Sequence, residues 1–147
     1  KHSFSYCFES FSVEYPAMLK LNKINKELTI NDSVQKIKVK PIVVKHGSVK
    51  SICYIVDKKL AYISDVSEIH KKDFKYFKNL KYLIIDCLWF DHHPSHFNLE
   101  KSLHFIKKIR PKKAILTNLS HFMDYNELKN ILPKNIIPAH DGLTLKL

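Results

Sequence analysis

Two hydrophobic patterns divide the chain, and the change between them falls near residue 65. Upstream, Leu28-Thr29-Ile30 and Ile37-Lys38-Val39-Lys40 alternate apolar with polar residues, the period of two shown by half-buried strands. Ile52-Cys53-Tyr54-Ile55-Val56 and Leu60-Ala61-Tyr62-Ile63-Ser64, separated by Asp57-Lys58-Lys59, predict a hairpin. Pro41 has no amide hydrogen, so an edge strand or a strand start is expected there. These runs make a β-meander. Downstream, the spacing predicts strands and helices in alternation: a weakly amphipathic helix over 67–78, a buried strand over 82–87, and a helix over 98–108. That last helix carries the stripe Leu99, Leu103 and Ile106, with Asn98 as its cap. A strand over 114–117, a helix over 125–132 stopped by Pro133, and a closing strand or hairpin over 136–147 complete the order. This succession predicts an α/β layer packing. Residues 1–36 are polar and aromatic with weak periodicity, and Glu14-Tyr15-Pro16 predicts a loop.

With 147 residues, 45% of them hydrophobic, the chain can bury the core of one domain. No run approaches the roughly 20 apolar residues of a membrane span. Its start, Lys1-His2-Ser3-Phe4, has no Met and no signal pattern, so it is expected to lie inside a longer protein. Cys7, Cys53 and Cys87 are widely spaced and form no Cys-x-x-Cys pair, which predicts inert thiols in a reducing cytoplasm. With glycine only at Gly47 and Gly142, a glycine-rich phosphate loop is excluded. The net charge of +11 raises nucleic acid as a partner. Yet the lysines are scattered and Arg110 is the one arginine. Specific base readout leans on arginine, so the lysines are read as solvated faces and nucleic acid is not the favoured partner.

The candidate chemistry sits where apolar runs end. His93-Pro94-Ser95-His96 follows the run that closes with Asp86-Cys87, His46 follows Ile42-Val43-Val44, and Asp65 follows Tyr62-Ile63-Ser64. Strand ends are where α/β folds gather functional groups, and imidazoles collected with carboxylates suggest a metal-dependent hydrolase. Other readings stay open for each residue. His46 could be a turn histidine before glycine, and Asp65 could be an acid favoured by the dipole of a following helix.

The order Ile-Ser-Asp, Leu-Ile-Ile-Asp-Cys-Leu, His-Pro-Ser-His, Ile-Leu-Thr-Asn-Leu-Ser-His and Asp-Gly-Leu resembles the metallo-β-lactamase superfamily. The likeness is to its phosphodiesterase branch, which includes the phosphoribosyl cyclic phosphate phosphodiesterases. Tyr6-Cys7-Phe8-Glu9, Tyr15-Pro16 and Leu19 are similar to the connecting region of bacterial members. The resemblance implies an αββα sandwich, with residues 1–147 as its C-terminal portion and 1–36 as a connecting segment. It also implies one or two zinc or manganese ions that activate a water against a phosphorylated or nucleotide-like substrate.

Carried over one position at a time, the resemblance makes His46 a metal ligand and Asp65 the carboxylate that bridges two ions. It makes His96 the group that protonates the leaving oxygen or holds a phosphate oxygen, with His93 as a neighbour. Asn118 stands where many members have a ligand histidine, which implies a weaker second ion. His121 matches a histidine that some members use for a separate structural zinc. Asp141 matches an aspartate that orients a ligand histidine from behind, although Asp-Gly is also a plain turn signal. The family signature His-x-His-x-Asp-His does not occur in these residues. The remaining ligands are therefore expected from the N-terminal half of the domain, and these residues alone are expected to hydrolyse nothing. The competing expectation is a non-catalytic remnant that keeps the fold without the metals.

Overall fold

The computed structural model describes every residue except Lys1, Asn25 and Asp32, and gives only the backbone of His2 and Ser3. Those three residues of the expected connecting segment thus lie outside the described structure. Among the described residues, seven strands form one sheet in sequence order: β1 (Leu28–Asn31), β2 (Lys36–His46), β3 (Val49–Val56), β4 (Leu60–Ile63), β5 (Tyr82–Asp86), β6 (Lys113–Thr117) and β7 (Ile136–Pro138). The first four pair antiparallel, and β4 to β7 pair parallel. Connection length explains the switch. Short turns join the meander, whereas parallel neighbours need crossovers, supplied here by α1 (Leu99–Ile109), α2 (Tyr125–Ile131) and a 3-10 segment, Lys71–Phe77.

The turns carry the backbone strain. Gly47, with φ +61, opens the tight β2–β3 turn. At the β3–β4 turn, Asp57 and Lys58 take φ +48 and +56, and Lys59 N–H donates to the Val56 carbonyl at 2.9 Å. Positive φ at both central residues is the hairpin geometry that matches strand twist. Asp57 ties this turn to β2, since its amide donates to Lys38 O and its carboxylate accepts from Lys38 N at 2.8 Å.

The period of two sorts the sheet into a packed face and an open one. Ile42 and Val44, Cys53 and Ile55, Ala61 and Ile63, and Leu83 and Ile85 are buried. They share one core with Phe77, Phe105, Ile106 and Leu128 from the crossovers. The intervening residues of the meander remain open: Val43 is 51% exposed, Ile52 48% and Tyr62 40%. Within α1, Asn98 caps the first turn by accepting from Lys101 N at 3.1 Å, and Arg110 closes the last turn in the left-handed region. Among the described residues no helix is long and apolar enough to cross a membrane.

Two expectations change. Pro41 lies inside β2, between β1 and β3, and not at an edge or strand start. Lys38 turns its amide and carbonyl towards β3, so Pro41, of opposite parity, turns its missing N–H towards β1. There β1 has already ended, with Leu28 opposite Val39. The helix expected over 67–78 is a 3-10 segment over Lys71–Phe77. Ser67 and Glu68 stay outside it because their backbones bond to Lys45 at 2.8 and 3.0 Å, Glu68 as an isolated antiparallel bridge, and His70 offers no side-chain cap. Of the closing strand or hairpin expected over 136–147, the structure has the strand, the short parallel β7, followed by a turn.

The three cysteines are unpaired, with Cys53 and Cys87 buried. Burial pushes both thiols up to about 12. Both are therefore expected to resist iodoacetamide at pH 8 in the folded protein, while Cys7 reacts; mass spectrometry reads this directly. In the unfolded chain the same thiols ionise near their ordinary value, about 8.5. Denaturation midpoints should accordingly hold below that pH and fall as pH rises from there towards 12.

Candidate metal centre

His46 closes β2 on the parity of Ile42 and Val44, so its ring stands at the end of the packed face. The Ser95 carbonyl lies 2.7 Å from His46 Nδ1. A carbonyl only accepts, so Nδ1 carries the proton and Nε2 keeps its lone pair for a ligand. The loop bearing Ser95 comes this close because residue 47 has no side chain. A Cβ on Gly47 would meet Ser95 Cβ at 3.0 Å.

Asp86 organises the rest. It ends β5 with no exposure to solvent, and a carboxylate in such a place must be bonded to be tolerated. Its Oδ2 accepts from His96 Nδ1 at 2.8 Å, from Val66 N at 3.0 Å and from Phe97 N at 3.4 Å. Its Oδ1 accepts from Asn118 Nδ2 at 3.2 Å. The Asp86 carbonyl accepts from the Ser102 hydroxyl of α1 at 2.6 Å. The bond to Asp86 places the His96 proton on Nδ1 and leaves Nε2 open, as in His46. The two rings meet edge to face, 4.6 Å between centroids.

Asp65 follows β4 by two residues in the left-handed region, φ +50. Its carboxylate is half-exposed, and Oδ1 lies 4.0 Å from His96 Nδ1. The Asp86 bond to Val66 fixes the backbone immediately beyond it. His46, Asp65 and His96 each offer one ligand atom, all within 4.8 Å of one another. An anchored imidazole and a carboxylate form donors suited to a divalent ion of the zinc or manganese kind, and a second anchored imidazole stands beside them either as a further donor or as a group that exchanges a proton.

The other residues singled out in the sequence take different places. Asn118 follows β6 with φ +60 and commits its amide nitrogen to Asp86. His93 bonds locally, its Nδ1 lying 3.3 Å from Ser95 N and 3.2 Å from Ser95 Oγ. His121 is exposed and packs on the Phe122 ring, with centroids 3.9 Å apart. Asp141 is exposed in the turn beyond β7, its carbonyl 2.9 Å from His140 Nδ1. Within this site the carboxylate that bonds a histidine from behind is Asp86. Sequence reading noted Asp86 only as a strand end. The available signal was an acid closing the otherwise apolar run Leu83-Ile84-Ile85, where burial demands partners.

The chain matches the β-lactamase superfamily domain over residues 2–119. Among solved structures it is similar to a diphosphatase from the PhnP family, at 28% identity and TM-score 0.84, covering 100% of this chain and 53% of that one. Human tRNase Z, short form, matches at 18% identity and TM-score 0.62, over 82% of this chain and 46% of the other. Zn(2+)-bound PqqB from Methylobacterium extorquens matches at 15% and 0.68, over 84% and 55%. These last two likenesses concern the fold. The chain spans about half the length of the structures it matches. No curated protein matches it.

Replacing Asp86 with Ala strands several buried donors at once. The expected cost is about 3 kcal/mol or more of folding stability, read from urea denaturation. Asp86→Asn, which keeps the shape, should lose less and should release the His96 Nδ1–H signal in the imidazole NMR spectrum.

Proposed function

The chain belongs to the metallo-β-lactamase superfamily, whose fold is that of metal-dependent hydrolases, and from that premise we propose that it forms the C-terminal part of a phosphodiester hydrolase. The observation that carries this reading is the convergence of His46, Asp65 and His96 within 4.8 Å, with both imidazole Nδ1 atoms anchored from behind. In it, His46 Nε2 and the Asp65 carboxylate hold divalent ions of zinc or manganese. Such ions supply an activated water and neutralise charge on the phosphate. His96, its ring fixed by Asp86, presents Nε2 to the same space and passes a proton to the leaving oxygen or holds a phosphate oxygen. Asn118 steadies Asp86 and stands at a position where a weak neutral donor lowers affinity for a second ion.

The remaining ligands come, in this proposal, from a further segment of the domain lying on the open face of the meander. Two observations support it: the chain spans about half the length of its structural relatives, and Val43, Ile52 and Tyr62 expose an apolar sheet face. Residues 1–147 by themselves would then be inactive. The three unpaired thiols support a cytoplasmic setting. A second reading, a remnant that has lost its metals, is favoured by Asn118 at the ligand position.

The test uses protein that includes the complete domain. Wild type is expected to purify with about one or two equivalents of zinc or manganese by elemental analysis and to hydrolyse bis(4-nitrophenyl) phosphate. Asp65→Ala should lose metal and at least about 100-fold in turnover while its circular dichroism is kept. His96→Gln should keep metal and lose about 100-fold or more in kcat. Unchanged turnover in Asp65→Ala refutes the assignment, and a wild type free of metal supports the remnant.

A further inference from the structure

Lysines that are scattered along the sequence converge in space. Lys38 and Lys40 on β2, Lys58 in the β3–β4 turn, and Lys75 and Lys78 at the end of the 3-10 segment line one cleft of about 910 Å3. It lies at the opposite end of β2 from His46. Lys40 lies six residue steps before His46, about 20 Å of strand at the usual rise.

Lys38 and Lys40 have the parity of the buried Ile42 and Val44. Apolar cover over that face thins at Tyr76, and the half-buried Lys40 sets its ammonium 4.6 Å from the centre of the Tyr76 ring. Lys75 reaches the same ring at 5.2 Å, so the two ammonium groups lie within about 10 Å of each other. The acidic residues lining the cleft are Glu27 and Asp57, and Asp57 is bonded to the Lys38 backbone. Five ammonium groups against two carboxylates leave a concave surface with a positive field.

The kind of ligand follows from the kind of cation. Lysine is a compact charge with rotatable donors, which meets phosphate oxygens without fixing a base. No arginine lines the cleft to fork onto a base edge. Lys40 and Lys75 both stand over the Tyr76 ring, so a strand approaching it meets ammonium groups. We propose that this cleft binds a nucleic-acid strand through its phosphodiester backbone, without sequence preference and independently of the metal centre.

Fluorescence anisotropy with labelled oligothymidylate and oligoadenylate of equal length tests this across a salt series. The two affinities are expected to agree within about threefold, and log K to fall against log salt with a slope of about −3, the value for four to five phosphates on a single strand. Lys38→Gln/Lys40→Gln/Lys75→Gln should reduce that slope by about 2 and weaken low-salt binding at least about tenfold. A control that removes the same charge at exposed positions elsewhere, Lys107→Gln/Lys112→Gln/Lys129→Gln, should change binding little. Equal losses in the two variants, or affinity insensitive to salt, would overturn the proposal. So would strong binding of inorganic polyphosphate that neither oligonucleotide displaces. Thermal unfolding checks both variants; should the cleft variant fail to fold, Lys75→Gln and Lys78→Gln at exposed sites must each lower the slope by about 0.7. The readout is binding, so it stands or falls apart from hydrolysis.

Discussion

A carboxylate buried at the end of β5 sets the terms for everything around it. Desolvating Asp86 costs several kcal/mol unless its oxygens are bonded, and the partners that meet this demand come from three separate stretches: Val66 beyond β4, His96 and Phe97 before α1, and Asn118 beyond β6. Each bond that relieves the charge also fixes a loop of the candidate centre. Stability and preorganisation are thus one set of contacts, and the same residue cannot be removed for one without the other. The Ser102 hydroxyl on the Asp86 carbonyl extends the arrangement into α1, so the helix that completes the core is registered to the strand that holds the site.

The position of that carboxylate follows from topology. Parallel pairing begins at β4 and carries β5 and β6 side by side, with Ile63 opposite Ile85 and Asp86 opposite Thr117. Their C-terminal ends therefore fall together, where open α/β sheets bind ligands. His46 arrives from the antiparallel part, at the end of a strand running to the same edge. Its loop contact is permitted by glycine at 47 and secured by Ser67, whose Oγ accepts from Gly47 N at 3.0 Å. The meander and the parallel layer share one core, and at this rim they also share the candidate centre.

Much of this was legible in the sequence because the signals are local. Period-two alternation marked β2 to β4, and the stripe Leu99, Leu103, Ile106 with Asn98 marked α1. What failed was decided by neighbours. Pro41 sits in an interior strand only because β1 is short, and the expected helix over 67–78 gave way to backbone bonds with Lys45. His46, Asp65 and His96 were named from strand ends and family resemblance, and the fold brings them together. The orienting role of Asp86 is not legible in the sequence, because burial is a tertiary property, whereas Asp141-Gly142 is a short-range motif.

The distribution of charge follows a related logic. Carboxylates and imidazoles gather at the C-terminal rim of the sheet, while Lys38, Lys40, Lys58, Lys75 and Lys78 crowd the opposite end. Linear spacing hid that crowding, since two strand residues of equal parity, a hairpin turn and a 3-10 segment contribute to it. Like charges in one concavity repel, and the fold accepts this where a core-facing parity runs out of apolar cover. A bias towards lysine in composition explains many lysines on solvated faces. It does not explain why two of them take core parity on β2, under Tyr76 and beside a turn whose carboxylate is occupied with the backbone.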